Sequence, residues 1–408
     1  MNSSSTPPSA DTPERGRPER GGDARFFDWH SPTRVIFGAG TLDRLGVSAR
    51  ELGSHRPLLV TDRGIMQAGH VDRAIASLRE AGLSPIIFDH VEENPTTRHV
   101  ADGLELARRE SIDLFIGLGG GSSMDTAKGI NFLLTNGGEM ADYWGIGKAT
   151  RPMLPLIAIP TTAGTGSEAQ SFALIADDKT HQKMACGDSK AAAQVAILDP
   201  AITVSQPARV TAVSGIDAIS HAVESYVTRV RHPLSMMFAR QAWKLVFDGF
   251  PRVLANPTDI EARGLMSLGA NLAGSAIEAS MLGATHAAAN PLSARFDLTH
   301  GIAIAILLPH VVRFNAEVMD DSYAELWAET GLPSPGAGNA GKALADWLEK
   351  ITRLAKLPTS LKETGIDPAL IPELAQQAAA QWTGRYNPRS VAPSDFEKIY
   401  HLAYNGTC

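Results

Sequence analysis

Asp113-Leu-Phe-Ile-Gly-Leu-Gly-Gly-Gly-Ser-Ser-Met-Asp-Thr-Ala-Lys128 is the stretch on which the fold turns. An apolar run ends in the successive glycines Gly119, Gly120 and Gly121. Beyond them Met124, Ala127, Ile130, Leu133 and Leu134 recur at helical spacing. Strand, glycine turn, helix is the building unit of a parallel sheet with crossover helices. The glycines let the backbone approach a ligand closely, and the unpaired N–H groups of a helix start favour an anion such as a pyrophosphate. An ordinary tight turn accounts for the same letters. Gly117-x-Gly119-x-x-Ser122 only approximates the dinucleotide fingerprint, and it falls on the third strand-helix unit rather than the first.

The flanking sequence repeats the rhythm. Pro57 to Thr61, Ser84 to Phe88, Leu154 to Ile159 and Gln194 to Leu198 are further short apolar runs, expected as buried strands. Helix-like segments at Gln67 to Ala81 and Arg98 to Arg109 separate the first three strands. After about Gln206 strand-like runs nearly vanish. Ile216 to Thr228, Met236 to Val246, Ile260 to Ala279, Ile302 to Phe314 and Gly341 to Ala355 carry helical periodicity instead. The expected organisation is a disordered tail at 1–24, rich in Ser, Pro, Gly and charge, an α/β dinucleotide-binding domain at 25–205 and an all-α domain at 206–408. A ligand cleft is expected between the two domains.

Composition limits the partners. The chain has 408 residues with 37 Lys plus Arg against 44 Asp plus Glu, a net charge of -7, which argues against a nucleic-acid partner. No run of about 18 apolar residues is present, so no membrane span is expected. The N-terminal residues lack the apolar stretch of a secretory signal, and Cys186 and Cys408 offer no disulfide framework, so a reducing, cytoplasmic location is expected.

Polar residues at strand ends are the candidate cofactor contacts. Asp62 follows Leu58-Leu-Val60, where a carboxylate can accept ribose hydroxyls and repel a 2'-phosphate; a helix N-cap is the competing meaning. Pro160-Thr-Thr-Ala-Gly-Thr-Gly-Ser-Glu168 supplies hydroxyls and glycines after another strand, and Lys183 offers a cation or a solvated surface charge. Asp217 and His221 lie four apart on one helix face, suited to chelating one ion or to bonding each other. Downstream, His286 and His300 stand among small residues that permit close packing. One Asp and three His suit a first-row divalent ion, Fe(II) or Zn(II).

Together, Gly119-Gly-Gly-Ser-Ser-x-Asp-x-x-Lys128, Pro160-Thr-Thr-x-Gly-Thr-Gly-Ser-Glu168, Gly215-x-Asp-Ala-x-x-His-Ala-x-Glu224 and His286 with His300-Gly301 resemble the iron-containing (group III) alcohol dehydrogenases. The likeness runs from about Arg34 to Asn387-Pro-Arg389. It implies a Rossmann-like N-terminal domain with a helical metal-binding domain, the architecture shared with dehydroquinate synthase. It implies Asp217, His221, His286 and His300 as ligands of a catalytic metal. It also implies NAD contacts at Asp62, Asn94, Gly120, Gly121, Ser122, Ser123, Asp125, Thr161, Thr162, Thr165, Ser167 and Lys183. Many members of that family carry a histidine four residues after the first downstream ligand. Here the position is Asn290, a substrate-pocket candidate that cannot exchange a proton near neutral pH.

The resemblance implies an NAD- and metal-dependent enzyme interconverting a small alcohol and its aldehyde or ketone. The alternatives on the same architecture are a maleylacetate-type reductase, which is metal-free, and a dehydroquinate synthase-like cyclase, which needs basic residues for a sugar phosphate. Around the ligands only Arg295 and Arg313 answer that need. A homodimer is expected, with Arg34 to Phe37 as an edge strand able to pair with a second copy.

Overall fold

Leucine and β-branched residues packed on both faces make the short apolar runs strands, because side chains buried on both sides of a parallel sheet need no polar alternation. The computed structural model describes residues 27–180 and 182–406. The tail expected at 1–24 and His181 therefore lie outside the described residues. Six parallel strands form the main sheet: β1 (Arg34–Phe37), β2 (Pro57–Val60), β3 (Ile86–Phe88), β4 (Leu114–Gly119), β6 (Leu156–Pro160) and β9 (Val195–Leu198), in the order β1-β9-β6-β4-β2-β3. All of these runs are visible in the sequence. A second sheet, β5 (Gly145–Ile146), β7 (Phe172–Ala176) and β8 (Lys183–Gly187), is not, and it includes an antiparallel pairing of β7 with β8.

The helices α1 (Leu45–Glu51), α2 (Arg63–Gln67), α3 (His70–Glu80), α4 (Thr97–Arg109) and α5 (Gly121–Asn136) connect the sheet. The helix expected from Gln67 to Ala81 begins at His70, because Gly69, at φ +78°, takes a left-handed turn that separates α3 from α2. The chain proceeds from β2 outward to β3 and then returns past β2 to β4, so the connection reverses direction between β2 and β4. A ligand crevice is expected where that reversal opens the carboxyl ends of the strands.

Among the described residues eight α-helices follow: α6 (Ala208–Val227), α7 (Pro233–Ala255), α8 (Ile260–Ala279), α9 (Ala284–Phe296), α10 (His300–Ala328), α11 (Ala340–Leu354), α12 (Ile371–Ala379) and α13 (Pro393–Asn405). The architecture is thus the expected parallel α/β domain followed by a helical one. Helix α10 is long and apolar enough to cross a membrane, but 72% of its apolar window is buried inside the protein, which makes it the core around which the other helices pack.

Polar and glycine contacts join the two parts. Gly166 and Gly274 meet so closely that a Cβ on Gly274 would stand 2.5 Å from the Gly166 carbonyl oxygen. Glu278 on α8 accepts from the backbone N–H and hydroxyl of Ser171 at 3.1 and 2.6 Å.

Candidate metal and cofactor site

Asp217 and His221 project from one face of α6, a turn apart, and both are buried. His286 reaches the same point from the first turn of α9, and His300 from the first residue of α10. Around the Asp217 Oδ1 atom stand the Nε2 atoms of His221, His286 and His300, at 3.3, 3.7 and 3.8 Å. Donors about 2.1 Å from a tetrahedral ion lie about 3.4 Å from one another, so this spacing is that of a ligand set around one cation. The ligand atoms of Asp217, His221 and His286 all lie within 4.8 Å of one another. His300, with its side chain 30% exposed, faces the cleft.

Two of the converging atoms, Asp217 Oδ1 and His286 Nε2, are buried without a hydrogen-bond partner. Leaving such atoms unsatisfied costs about 1–3 kcal/mol each, and a bound divalent ion would satisfy both. The imidazoles are held from behind. His221 Nδ1 donates to the Gly164 carbonyl at 3.2 Å, and His286 Nδ1 donates to Glu224 Oε2 at 2.5 Å. Both arrangements leave Nε2 facing inward, the orientation a metal-ligating histidine requires. The residues present therefore fit a divalent ion.

The electrostatics agree. Burial opposes ionisation of Asp217, yet the surrounding imidazoles, His221 foremost, hold its carboxyl well below the usual range. Burial keeps His221 below its ordinary value and pushes His300 down to about 3, so both rings are neutral donors at neutral pH. For His286 burial again disfavours the charge, but the carboxylates of Asp217 and Glu224 prevail and raise it to about 9. Metal binding there displaces a proton.

Glu224 carries more of the site than sequence reasoning assigned to it. Besides His286 it accepts from the Thr285 N–H at 2.7 Å, fixing the start of α9. Its signal was present, since it lies seven residues after Asp217 and three after His221 on the same helix. Gly301 plays the matching role for His300, because a Cβ there would stand 2.3 Å from the Val213 carbonyl oxygen on α6. Gly301→Ala is expected to push α10 off α6, costing about 1–3 kcal/mol of stability and at least tenfold in metal affinity. Thermal unfolding and metal titration of the purified variant check this.

The cleft opening beside the four ligands is lined by Asp62, Asn94, Gly120, Gly121, Ser122, Asp125, Thr161, Thr162, Thr165, Ser167, Lys183 and Asn290. Ser123, also expected at the cofactor, is not on that wall. It is fully buried, and its hydroxyl occupies the space where a Cβ on Gly119 would fall. Helix α5 begins at the glycines with no side-chain cap, and a Cβ on Gly121 would stand 2.9 Å from Thr165. The loops after β4 and β6 are therefore pressed together.

Asp62 combines its two sequence meanings. Oδ1 caps α2 by accepting from Ile65 N–H at 3.0 Å, while Oδ2 lies beside Gly119 at the cleft. Asn94 follows β3 in a left-handed conformation, φ +54°, which Asn tolerates better than most residues. Asp125 and Ser167 bond each other at 2.7 Å. The fully buried Lys128 binds the loop after β6 through Ser167, Gln170 and Phe172 at 2.7–3.0 Å. In the sequence the only clue to this role is that Lys128 lies three residues after Asp125 on the same helix. Lys183, at the start of β8, is exposed on the cleft wall.

Residues 32–200 match the family model described as iron-containing alcohol dehydrogenase, and residues 211–404 match the C-terminal domain model of the same family. A 1,3-propanediol dehydrogenase of Klebsiella pneumoniae is 36% identical over 390 residues, covering 93% of this chain and 99% of the relative. An NAD-dependent methanol dehydrogenase of Bacillus methanolicus is 34% identical, covering 90% and 97%. The crystal structure of a 1,3-propanediol oxidoreductase superposes with a TM-score of 0.90 at 33% identity, over 93% of this chain and 100% of that one.

Proposed function

This chain belongs to the iron-containing alcohol dehydrogenase family, a family of oxidoreductases acting on alcohols, and we propose that it interconverts a small alcohol and its aldehyde or ketone using NAD and one divalent ion, Fe(II) or Zn(II). The observation that supports this most strongly is the convergence of three imidazole nitrogens on Asp217 Oδ1 at the rim of the glycine-lined cleft. Asp217, His221, His286 and His300 would hold the ion, which when bound supplies a Lewis acid for the substrate oxygen. NAD supplies the hydride acceptor.

The chain's own residues bind and orient. Glu224 and the Gly164 carbonyl fix two imidazoles with their Nε2 atoms inward. The uncapped start of α5 at Gly120 and Gly121 offers backbone N–H groups to a pyrophosphate. Asp62 Oδ2, beside Gly119 at the cleft, would accept from ribose hydroxyls. Lys128 and Asp125 hold the two loops in register from beneath. The Asn290 amide does not act as an acid or base near neutral pH, so proton transfer falls to water, a ribose hydroxyl or another side chain.

The intact ligand set speaks against the maleylacetate-type alternative. The cyclase reading loses its two basic residues, since Arg295 is paired with Glu373, and Arg313 with Asp346 and Glu349. The proposal extends to a cytoplasmic homodimer: Cys186 is buried and unpaired, and β1 is an edge strand with Val35 and Phe37 exposed.

Metal analysis followed by NADH absorbance with a panel of alcohols and aldehydes tests the activity. Net nucleotide turnover that needs the ion is the expected result, and product formed without net turnover would contradict it. Asp62→Ser, which keeps the helix cap, is expected to lower the kcat/KM preference for NAD over NADP at least tenfold. An unchanged preference would leave Asp62 as a cap alone.

A further inference from the structure

The loop between β6 and β7 serves both halves of the site. Thr161, Thr162, Thr165 and Ser167 line the cleft beside the glycine turn of α5. In their midst the Gly164 carbonyl accepts from His221 Nδ1 at 3.2 Å and so orients a candidate metal ligand. Gly164 also lies hard against α6, where a Cβ would stand 2.6 Å from the Ser214 side chain and 2.8 Å from the Ser214 carbonyl oxygen. A residue facing the nucleotide and the atom backing His221 are thus neighbours in the chain, with no slack on the α6 side.

Lys128 sets that loop from beneath. Its wholly buried side chain donates from Nζ to the carbonyls of Ser167, Gln170 and Phe172 at 2.7, 2.8 and 2.9 Å, and lies 3.0 Å from the Ser167 hydroxyl. These acceptors engage all its N–H groups and leave none for a ligand. The Ser167 N–H in turn donates to Thr165 Oγ1 at 3.3 Å, and the Gln170 side chain donates to the Thr165 carbonyl at 2.8 Å. Lys128 therefore governs Thr165 by two routes. Burial draws the ammonium below the ordinary lysine range, against the charges of Asp125, Glu278 and Glu168. An apolar side chain would fill the same space without that desolvation. What the charge adds is bonds roughly twice as strong as neutral ones, made to three carbonyls of one loop. On its far side the loop is tied to α8, where Asn271 donates to Glu168 Oε1 at 3.2 Å and Ser171 to Glu278 Oε1 at 2.6 Å.

We propose that Lys128 is a positioning residue through which nucleotide and metal binding are coupled: the loop it holds presents Thr165 to the nucleotide and the Gly164 carbonyl to His221 in a single setting, so each ligand favours the loop conformation the other needs. The inference rests on the NAD- and metal-dependent reading above. Linkage makes the coupling reciprocal, so the factor by which nucleotide tightens metal equals the factor by which metal tightens nucleotide.

The test reads binding rather than turnover. Zn(II) affinity of the full chain is measured by chelator competition with and without saturating ADP-ribose, which carries the pyrophosphate and riboses of NAD but no nicotinamide to approach the ion. ADP-ribose affinity is measured by calorimetry on zinc-loaded and zinc-free protein. Each ligand is expected to tighten the other by the same factor, about fivefold or more. Lys128→Met, an uncharged side chain of similar length, is expected to bring that factor close to one. A merely structural lesion would weaken either ligand and leave the factor as in the wild type. Wild-type affinities for each ligand that ignore the other would overturn the inference while leaving the dehydrogenase reading in place. A factor that survives in folded Lys128→Met would overturn the assignment to this residue. A wild type that binds neither zinc nor ADP-ribose would remove the underlying reading, and the inference with it. Should Lys128→Met fail to fold, Gln170→Leu, which removes only the side-chain bond to the Thr165 carbonyl, decides: the factor is expected to fall about twofold or more, and an unchanged factor would overturn the coupling route.

Discussion

His286→Ala is expected to strip the protein of its metal and to lower kcat/KM at least a thousandfold, the largest loss of any single change considered. The side chain serves two contacts at once. Its Nε2 is one of the converging donors, 3.7 Å from Asp217 Oδ1, and its Nδ1 bonds Glu224 at 2.5 Å. Removing the ring therefore takes a donor from the ion and leaves the buried Glu224 facing a cavity. Burial acts to raise the Glu224 pKa; the bond to His286, its largest counterweight, helps hold it low, so without the ring the carboxylate loses its main partner. Breaking a buried pair from one side costs about 3–5 kcal/mol. Folding stability and metal content should thus fall together. Elemental analysis after dialysis, thermal unfolding and steady-state kinetics read the three effects. A variant that keeps stoichiometric metal and full turnover would remove His286 from the site.

Glu224→Gln isolates the second contact. The change keeps size and shape but replaces a carboxylate accepting from both His286 Nδ1 and the Thr285 N–H with a neutral amide that has one acceptor oxygen. His286 then loses the anion that fixes its tautomer and strengthens its Nε2 as a donor. Substitutions behind a ligating histidine typically cost 10–100-fold in metal affinity or activity. The expected outcome is a metal dissociation constant raised by that factor, with most of the activity regained at saturating metal. Recovery distinguishes it from His286→Ala, in which a donor atom itself is missing. Unchanged affinity would show that Glu224 only anchors the start of α9.

How much of this could be read from the sequence follows from the range of the interactions. The four central strands β2, β4, β6 and β9 announce themselves because each is a short apolar run buried on both faces, and Asp217 with His221 because an i,i+4 pair is a local pattern. The β7–β8 hairpin is less legible: β7 alternates in burial, but every residue of Phe172-Ala-Leu-Ile-Ala176 is apolar, so the alternation leaves no polar/apolar pattern in the sequence. Helix α9 is hidden by Pro291 inside it and by its alanines, which give no amphipathic stripe; close packing needs those small residues. Within the expected all-α part, α12 and α13 are short amphipathic helices with proline in their first turn.

Among site residues the same division holds. Ser123 belonged to the right motif but turns inward, since alternate residues of a helix's first turn cannot all face one ligand. Glu224 and Lys128 lie within the recognisable motifs, yet their work consists of bonds to residues tens of positions away. The pairing of Asn290 with Gln381 is longer still and leaves no trace in spacing.

Anomalous diffraction from crystals loaded with metal and NAD tests the central claim most directly. The account predicts one strong metal peak per chain, at about 2.0–2.2 Å from an Asp217 carboxylate oxygen and the Nε2 atoms of His221, His286 and His300, with the nicotinamide in the adjoining cleft. A metal peak elsewhere, or one held by other residues while these four side chains remain apart, would contradict it.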